Sequence, residues 1–375
     1  MTQRIVTLGI MLLLCRAIVT AEGSSASEAI ALQQQGRFSE AETAWRAVVK
    51  QNPTDAAAFA SLGVVLSKEE KYSEAAEAYK RALAVNPKLP GIQLNLGLAE
   101  FKQGHFQAAI APLSKAITEA PNNTQARTLL AMSYYGAKQF ARAAKSIEPL
   151  VQADPENTEL RQVLAQSCME TKNYSCAEEQ YRKILERNPD SVAAHILTGE
   201  ALDGLSQTAD AIGEFQEAAR LSPNQPEIHF GLGYLYWKLH RYDEASKELQ
   251  AELSISPAHA QALAYLGDIE LKQNHLETAA SYLEKSVQQS HDLRIAYLDL
   301  GAVRMQQRKY PEAIKAYKRA VELNPTQPDA HYRLGRIYQA MGATADSKKE
   351  FAKTAELHQK NDTAVLQLKT PRLNP

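Results

Sequence analysis

Prolines recur along this chain at a fixed interval: Pro53, Pro87, Pro121, Pro155, Pro189, Pro223 and Pro257 stand 34 residues apart, and Pro325 follows two intervals later with His291 in the skipped place. Two more columns keep the same register. One is alanine, at Ala41, Ala75, Ala109, Ala143, Ala177, Ala211, Ala245, Ala279 and Ala313, closed by Ser347. The other is glycine or alanine, at Ala29, Gly63, Gly97, Ala131, Ala165, Gly199, Gly233, Gly267, Gly301 and Gly335. A period of this length, held without insertion or deletion, marks a chain built by stacking one supersecondary motif on itself. Each copy is too small to bury its apolar face alone, so stability accumulates from neighbour to neighbour and no single globular core is expected.

Within a copy the periodicity is helical. From Asp55 to Pro87 the apolar positions Phe59, Leu62 and Leu66, then Ala75, Tyr79, Ala82 and Leu83, recur at helical spacing and imply two amphipathic helices. The polar stretch Lys68-Glu69-Glu70-Lys71 breaks them apart. Asn86-Pro87 ends the second, because the residue before a proline is pushed out of the α region and proline cannot continue the ladder. The Gly/Ala column falls in the first helix and the Ala column in the second, so small side chains are expected to meet where the two helices cross.

The 34-residue period, the pairs Leu62-Gly63, Leu96-Gly97, Leu232-Gly233 and Leu300-Gly301, the alanine column and the closing proline together resemble the tetratricopeptide repeat. The resemblance covers residues 22–361 as ten repeats: 22–55, 56–89, 90–123, 124–157, 158–191, 192–225, 226–259, 260–293, 294–327 and 328–361. It implies an all-α fold, a right-handed superhelical solenoid of antiparallel helix pairs, whose first helices line a concave groove. Local departures stand where the family carries Trp or Tyr: Arg127, Arg161, His195, His229 and His331. Packing in place of the aromatic is the role expected of these histidines. Residues 362–375 form a C-terminal tail, in which Val365, Leu366 and Leu368 are expected to patch the last repeat.

Ahead of the repeats, Arg4, the apolar run Ile5 to Cys15, and Val19-Thr20-Ala21 read as a signal peptide over residues 1–21, cleaved after Ala21. The almost wholly apolar run of eleven residues before Arg16 falls short of the roughly 20 needed to span a bilayer. The rest of the chain is therefore expected in an exported compartment, a bacterial periplasm or the secreted space. Cys168 and Cys176 both fall in the fifth repeat, near the end of its first helix and the start of its second; either two thiols or a disulfide fits that placement.

Charge and motifs narrow the function. Lys plus Arg number 42 against 43 for Asp plus Glu, without a block of like charge, so nucleic acid is not an expected partner. Signal and repeats leave fourteen residues, too few for a catalytic domain. No phosphate-cradling glycine loop, metal-ligand pair or nucleophile elbow is present, so neither enzyme, cofactor nor metal is expected.

Function then rests on surfaces. Helical spacing places Leu94, Leu98 and Phe101, Met132 and Tyr135, Phe230, Tyr234 and Trp237, and Leu298 and Met305 on the groove side of their first helices. Arg333 and Arg336, three apart on the last first helix, form a candidate clamp for a carboxylate or phosphate. The family resemblance implies a groove for a protein or peptide. The residues suggest a ligand with apolar anchors and basic flanks, an amphipathic helix or an extended segment, because Glu200, Asp203, Glu227, Asp268 and Asp299 lie around the aromatic row. A scaffold for one partner is the leading expectation and a holdase for unfolded or translocating chains the alternative.

Overall fold

A computed structural model describes residues 25–369, which hold twenty α-helices and no strand. The signal peptide expected over residues 1–21 lies outside the described residues. In chain order the helices are α1 (Ala26–Gln34), α2 (Phe38–Gln51), α3 (Ala56–Lys68), α4 (Tyr72–Val85), α5 (Ile92–Lys102), α6 (Phe106–Glu119), α7 (Thr124–Gly136), α8 (Phe140–Ala153), α9 (Thr158–Glu170) and α10 (Tyr174–Leu185). There follow α11 (Val192–Gly204), α12 (Thr208–Leu221), α13 (Ile228–Lys238), α14 (Tyr242–Ile255), α15 (Ala260–Lys272), α16 (Leu276–Gln289), α17 (Arg294–Gln306), α18 (Tyr310–Leu323), α19 (Pro328–Ala340) and α20 (Thr344–Lys369). The helices fall two to each 34-residue step. The chain divides into two compact units, Met1–Ser167 and Cys168–Pro375, in each of which a second helix packs on the first helix that follows it.

Local chemistry sets the helix ends. Asp55 and Asn123 cap α3 and α7 by accepting from the amides of Ala58 and Ala126 at 3.0 and 2.9 Å. Between the helices of each pair one residue takes the left-handed conformation, and these residues also stand 34 apart: Gly36, Glu70, Gly104, Lys138, Lys172, Ser206, His240, Asn274, Arg308 and Gly342, with φ from +58° to +74°. The next amide reaches back to close the helix, as Lys71 N does to Leu66 O at 2.9 Å and Lys309 N to Arg304 O at 2.8 Å.

The crossing of each pair differs from small meeting small. Every member of the alanine column is fully buried. The glycines instead form holes for a large side chain four residues beyond that column. A Cβ on Gly63 would lie 2.5 Å from the Tyr79 ring, on Gly233 2.6 Å from Leu249, and on Gly301 2.5 Å from the Tyr317 ring. Tyr79, Leu249 and Tyr317 fill the space that a glycine leaves, which is knob-into-hole packing.

The histidine column also departs from apolar packing. His195, His229 and His331 bring Nδ1 to 2.7, 2.6 and 2.6 Å from the carboxylates of Glu214, Glu248 and Glu350 on their second helices. Nε2 of the first two donates to the carbonyls of Pro189 and Pro223, at 2.9 and 3.0 Å. Arg161, in the same column, donates to Pro155 O at 2.8 Å. The column fastens a first helix to the proline loop before it, and the fixed nineteen-residue spacing from His to Glu is the sequence signal for it. At the C-terminus α20 runs unbroken to Lys369, past residue 361 where the last repeat is expected to end. The side chains of Val365, Leu366 and Leu368 lie outside what is described.

Candidate docking face

First helices touch the next first helix directly, α3 on α5 and α5 on α7 in the N-terminal unit, α13 on α15 and α15 on α17 in the C-terminal unit. Their outward stripes therefore share one face of each unit. In the N-terminal unit, Leu94, Leu98, Phe101, Met132 and Tyr135 are each half-buried. Phe101 meets Phe106 edge-on at 5.4 Å, and Tyr135 meets Phe140 in the same way at 5.7 Å. Each ring thus closes onto the first residue of its own second helix.

The C-terminal unit builds a different row. Its helix α13 starts, as α5 does, after a residue in the left-handed region, Glu227 at φ +76° matching Gly91 at φ +76°; here, in addition, the fully buried Glu252 carboxylate accepts from the Glu227 amide at 3.1 Å and from the Phe230 amide at 3.2 Å. A carboxylate at a helix N-terminus satisfies amides that have no partner in the helix. Phe230, Tyr234 and Trp237 then line one stripe of α13, half-buried and facing α15. Tyr265 of α15 completes the row, its ring centroid 6.0 Å from Phe230, 5.6 Å from Tyr234 and 4.9 Å from Trp237. Helical spacing alone leaves this stripe free; packed, it carries part of the contact between successive repeats and keeps an exposed edge. Tyr265 is the ring that sequence reasoning missed, since it is offset from the stripe while Asp268 occupies the place of Tyr234 one period later.

Charge is woven into the row. The indole Nε1 of Trp237 donates to Asp268 at 2.5 Å, and Lys272, paired with the same carboxylate, lies 5.4 Å from the indole centroid. Lys238 reaches back to Asp203 on α11 at 2.6 Å. Burial first, and then Tyr234 and the carboxylates of Asp268 and Asp299, push the Tyr265 hydroxyl up to about 12. Burial and the neighbouring Asp268 push the Asp299 carboxyl up to about 7.

Farther along the C-terminal unit, an open cavity of about 520 Å³ is lined by α17, α18 and α19, including Ala302, Met305, Tyr317, Arg333 and Arg336. Leu298 is not on this surface: it is buried in the cluster around Tyr317 and Leu334. Arg333 lies 5.9 Å from the Tyr317 centroid, and Arg336 donates to the Tyr332 hydroxyl at 3.3 Å. The two arginines share the cavity, each resting on an aromatic neighbour. A larger cavity of about 800 Å³ opens against the second helices α16 and α18. Its walls are already tied together, Arg304 with Glu284 and Glu312, and Arg319 with Glu322.

Cys168 and Cys176 are bonded, with Sγ–Sγ 2.03 Å and Cα–Cα 5.9 Å, joining the end of α9 to the first turn of α10. Among the described residues no group of three or more His, Cys, Asp or Glu is placed to hold a metal, and no helix is long and apolar enough to cross a membrane.

The family models that match this chain are all of one repeat. A model described as TPR repeat matches residues 205–240 and 301–342. Two described as tetratricopeptide repeat match 27–84, 62–124 and 230–292, and 100–152 and 134–200. Similar solved structures include the APC/C hetero-tetramer Cut9–Hcn1, with TM-score 0.52, 15% identity, and coverage of 88% of this chain and 79% of that one. MamA 41-end from Desulfovibrio magneticus RS-1 aligns at TM-score 0.42 and 23% identity over 46% of this chain and 97% of that one. YrrB, a TPR protein with an unusual peptide-binding site, aligns at 0.41 and 20% over 52% and 100%. No curated protein matches the sequence.

Proposed function

Since the chain belongs to the tetratricopeptide repeat family, we propose that it is a non-catalytic scaffold of an exported compartment that docks a segment of another protein on the first-helix face of its C-terminal unit. One observation carries this reading. Phe230, Tyr234, Trp237 and Tyr265 form a band of rings packed on one flank and open on the other. Rings held by their neighbours lose little freedom when a ligand lands on them, which is why aromatic anchors dominate binding hot spots. Asp203, Asp268 and Asp299 beside the band favour a segment with apolar anchors and basic flanks, an amphipathic helix or an extended strand. Arg333 and Arg336 are the candidate grip for an acidic group of the same ligand.

The exported setting is supported by the basic start and apolar run of residues 4–15, and by the Cys168–Cys176 bond, which suits an oxidising compartment. The docking test places a photo-crosslinking residue at Tyr234 and, separately, at the exposed Lys318 on the second-helix side. Adducts that form at Tyr234, saturate, and are competed by the captured segment support a scaffold. Adducts with many unrelated chains, joined to suppression of their aggregation, would make the protein a holdase. Equal crosslinking at both positions would sink the assignment of this face.

A further inference from the structure

We propose that Asp299 is the seat for a lysine or arginine side chain of the docked segment. The inference rests on the docking face proposed above and adds a specific contact to it. Asp299 retains only 9% exposure, and its carboxylate makes no hydrogen bond or ion pair among the described residues. Buried polar side chains nearly always have partners, and an ionised carboxylate without one is costly to keep folded.

The neighbours explain why no internal group meets the need. From α15 Asp299 faces Asp268, Lys272 and Tyr265; from α18, Tyr317; from α19, Arg333. Glu284 of α16 is taken by Arg304. Lys272 is committed to Asp268 and the Trp237 ring, and Arg333 lies against Tyr317. Two cations are near enough to be felt, and each is held elsewhere. Asp268 adds a second negative charge to the same neighbourhood.

Access comes from the helix register. Asp299, Ala302 and Gln306 stand three and four apart on α17, and the latter two line the open cavity. Ala302, half-buried and three residues beyond Asp299, presents only a methyl group. An ammonium or guanidinium entering there would meet a negative charge in a poorly solvated setting, where pairing is strongest. With the Asp299 carboxyl held near 7, the cation binds best once the proton has left, so affinity should climb between about pH 6 and about pH 8.

The experiment uses the full chain and two small probes, N-acetyl-lysine N-methylamide and its neutral counterpart N-acetyl-norleucine N-methylamide. The carboxyl carbon of Asp299, assigned by difference from Asp299→Asn, is titrated by NMR with and without each probe, and the Trp237 indole signal is followed in parallel. The lysine probe should lower the pH at which Asp299 titrates about tenfold in proton concentration and bind about tenfold more tightly at pH 8 than at pH 6, and Asp299→Asn should erase that gain. A free-chain midpoint in the ordinary carboxylate range would mean that Arg333 pairs with Asp299 and would overturn the proposal. So would a midpoint that the lysine probe leaves in place. If the norleucine probe still shifts the Trp237 signal in either case, the docking face survives while the cation seat falls; if neither probe shifts it, the docking face itself is in error.

Discussion

Two rows of residues on first-helix faces, one in each unit, are built differently. In the N-terminal unit, Phe101 and Tyr135 each close onto their own hairpin, through Phe106 and Phe140. In the C-terminal unit, Phe230, Tyr234 and Trp237 lean onto the next repeat, through Tyr265 and Asp268, and acids lie among them. The columns that hold the fold, alanine, Gly/Ala and the left-handed turn residue, are common to both units. What repeats is architecture, and what fails to repeat is where specific binding can reside.

The largest expected difference between the rows is electrostatic. The folded Asp299 carboxyl sits near 7, above the roughly 3.9 of a free aspartate, so between those values the folded chain holds the proton and the unfolded chain has lost it. Its contribution is therefore favourable at low pH and is lost as pH rises from about 4 to about 7. Asp299→Asn should leave stability unchanged near pH 4 and raise it by as much as about 4 kcal/mol at pH 8, since each tenfold change in proton affinity on folding is worth roughly 1.4 kcal/mol. Hydrogen exchange of α17 amides at the two pH values reads the effect locally, which matters in a repeat array whose unfolding need not be two-state. An equal gain at both pH values would show that Asp299 does not titrate differently in the fold.

Next in size is the contrast between the rings. Trp237→Ala removes a half-buried indole together with its hydrogen bond to Asp268, and should cost about 3 kcal/mol, felt in α13 and α15 alike. Phe101→Ala should cost less and be felt in α5 and α6 alone. Exchange rates helix by helix check both. If Phe101→Ala also loosens α7, the distinction between hairpin-closing and repeat-bridging rings is lost. Because Trp237 carries packing, its loss from binding has to be read beside Tyr234→Phe, which keeps the ring.

The Cys168–Cys176 bond belongs only to the C-terminal unit and closes a loop of separation eight. Constraining so short a loop is worth about 2.5 kcal/mol in the chain-entropy account. Reduction followed by alkylation should speed exchange at the start of α10 and leave α5 and α7 untouched. Unchanged exchange in α10 would mean that the helix pair needs no tether.

Much of this was legible in the sequence because the fold writes the same instruction into every copy. Alanine at the crossing and proline after the second helix can be read as columns. The left-handed column was faint, since only Gly36, Gly104 and Gly342 mark it by residue type, while Glu70, Lys138, Ser206, His240 and Arg308 share no chemistry and are held there by the capping bonds. The bonds from His195 to Glu214 and from His229 to Glu248 were missed for another reason: each column read singly looks like packing, and only the pair reveals the tie. Leu298 shows the limit of helical spacing, which names a stripe without saying how deep the neighbouring knob, here Tyr317, draws it in.

The smallest expected effect tests whether the turn column is scaffold in both units alike. Lys138 in the N-terminal unit and Arg308 in the C-terminal unit are exposed residues with φ +58° and +60°. A side chain in that conformation pays roughly 1 kcal/mol for the crowding of its Cβ against the carbonyl oxygen, a cost glycine escapes. Glycine returns part of the gain through the greater freedom it gives the unfolded chain. Lys138→Gly and Arg308→Gly should therefore each stabilise by about 0.5 kcal/mol, measured as a shift in the urea midpoint. The repeat already holds the precedent, since Gly36, Gly104 and Gly342 occupy the same place. Glu227→Gly is the instructive contrast: its φ is +76°, but its carboxylate lies 3.2 Å from His259 Nε2, so relief of backbone strain is offset by a lost contact. Equal gains at residues 138 and 308 with none at 227 would place the turn column in the architecture common to both units and the Glu227–His259 contact with the row that belongs to one. A gain at 308 without one at 138 would show instead that even the turns are tuned separately in the two units.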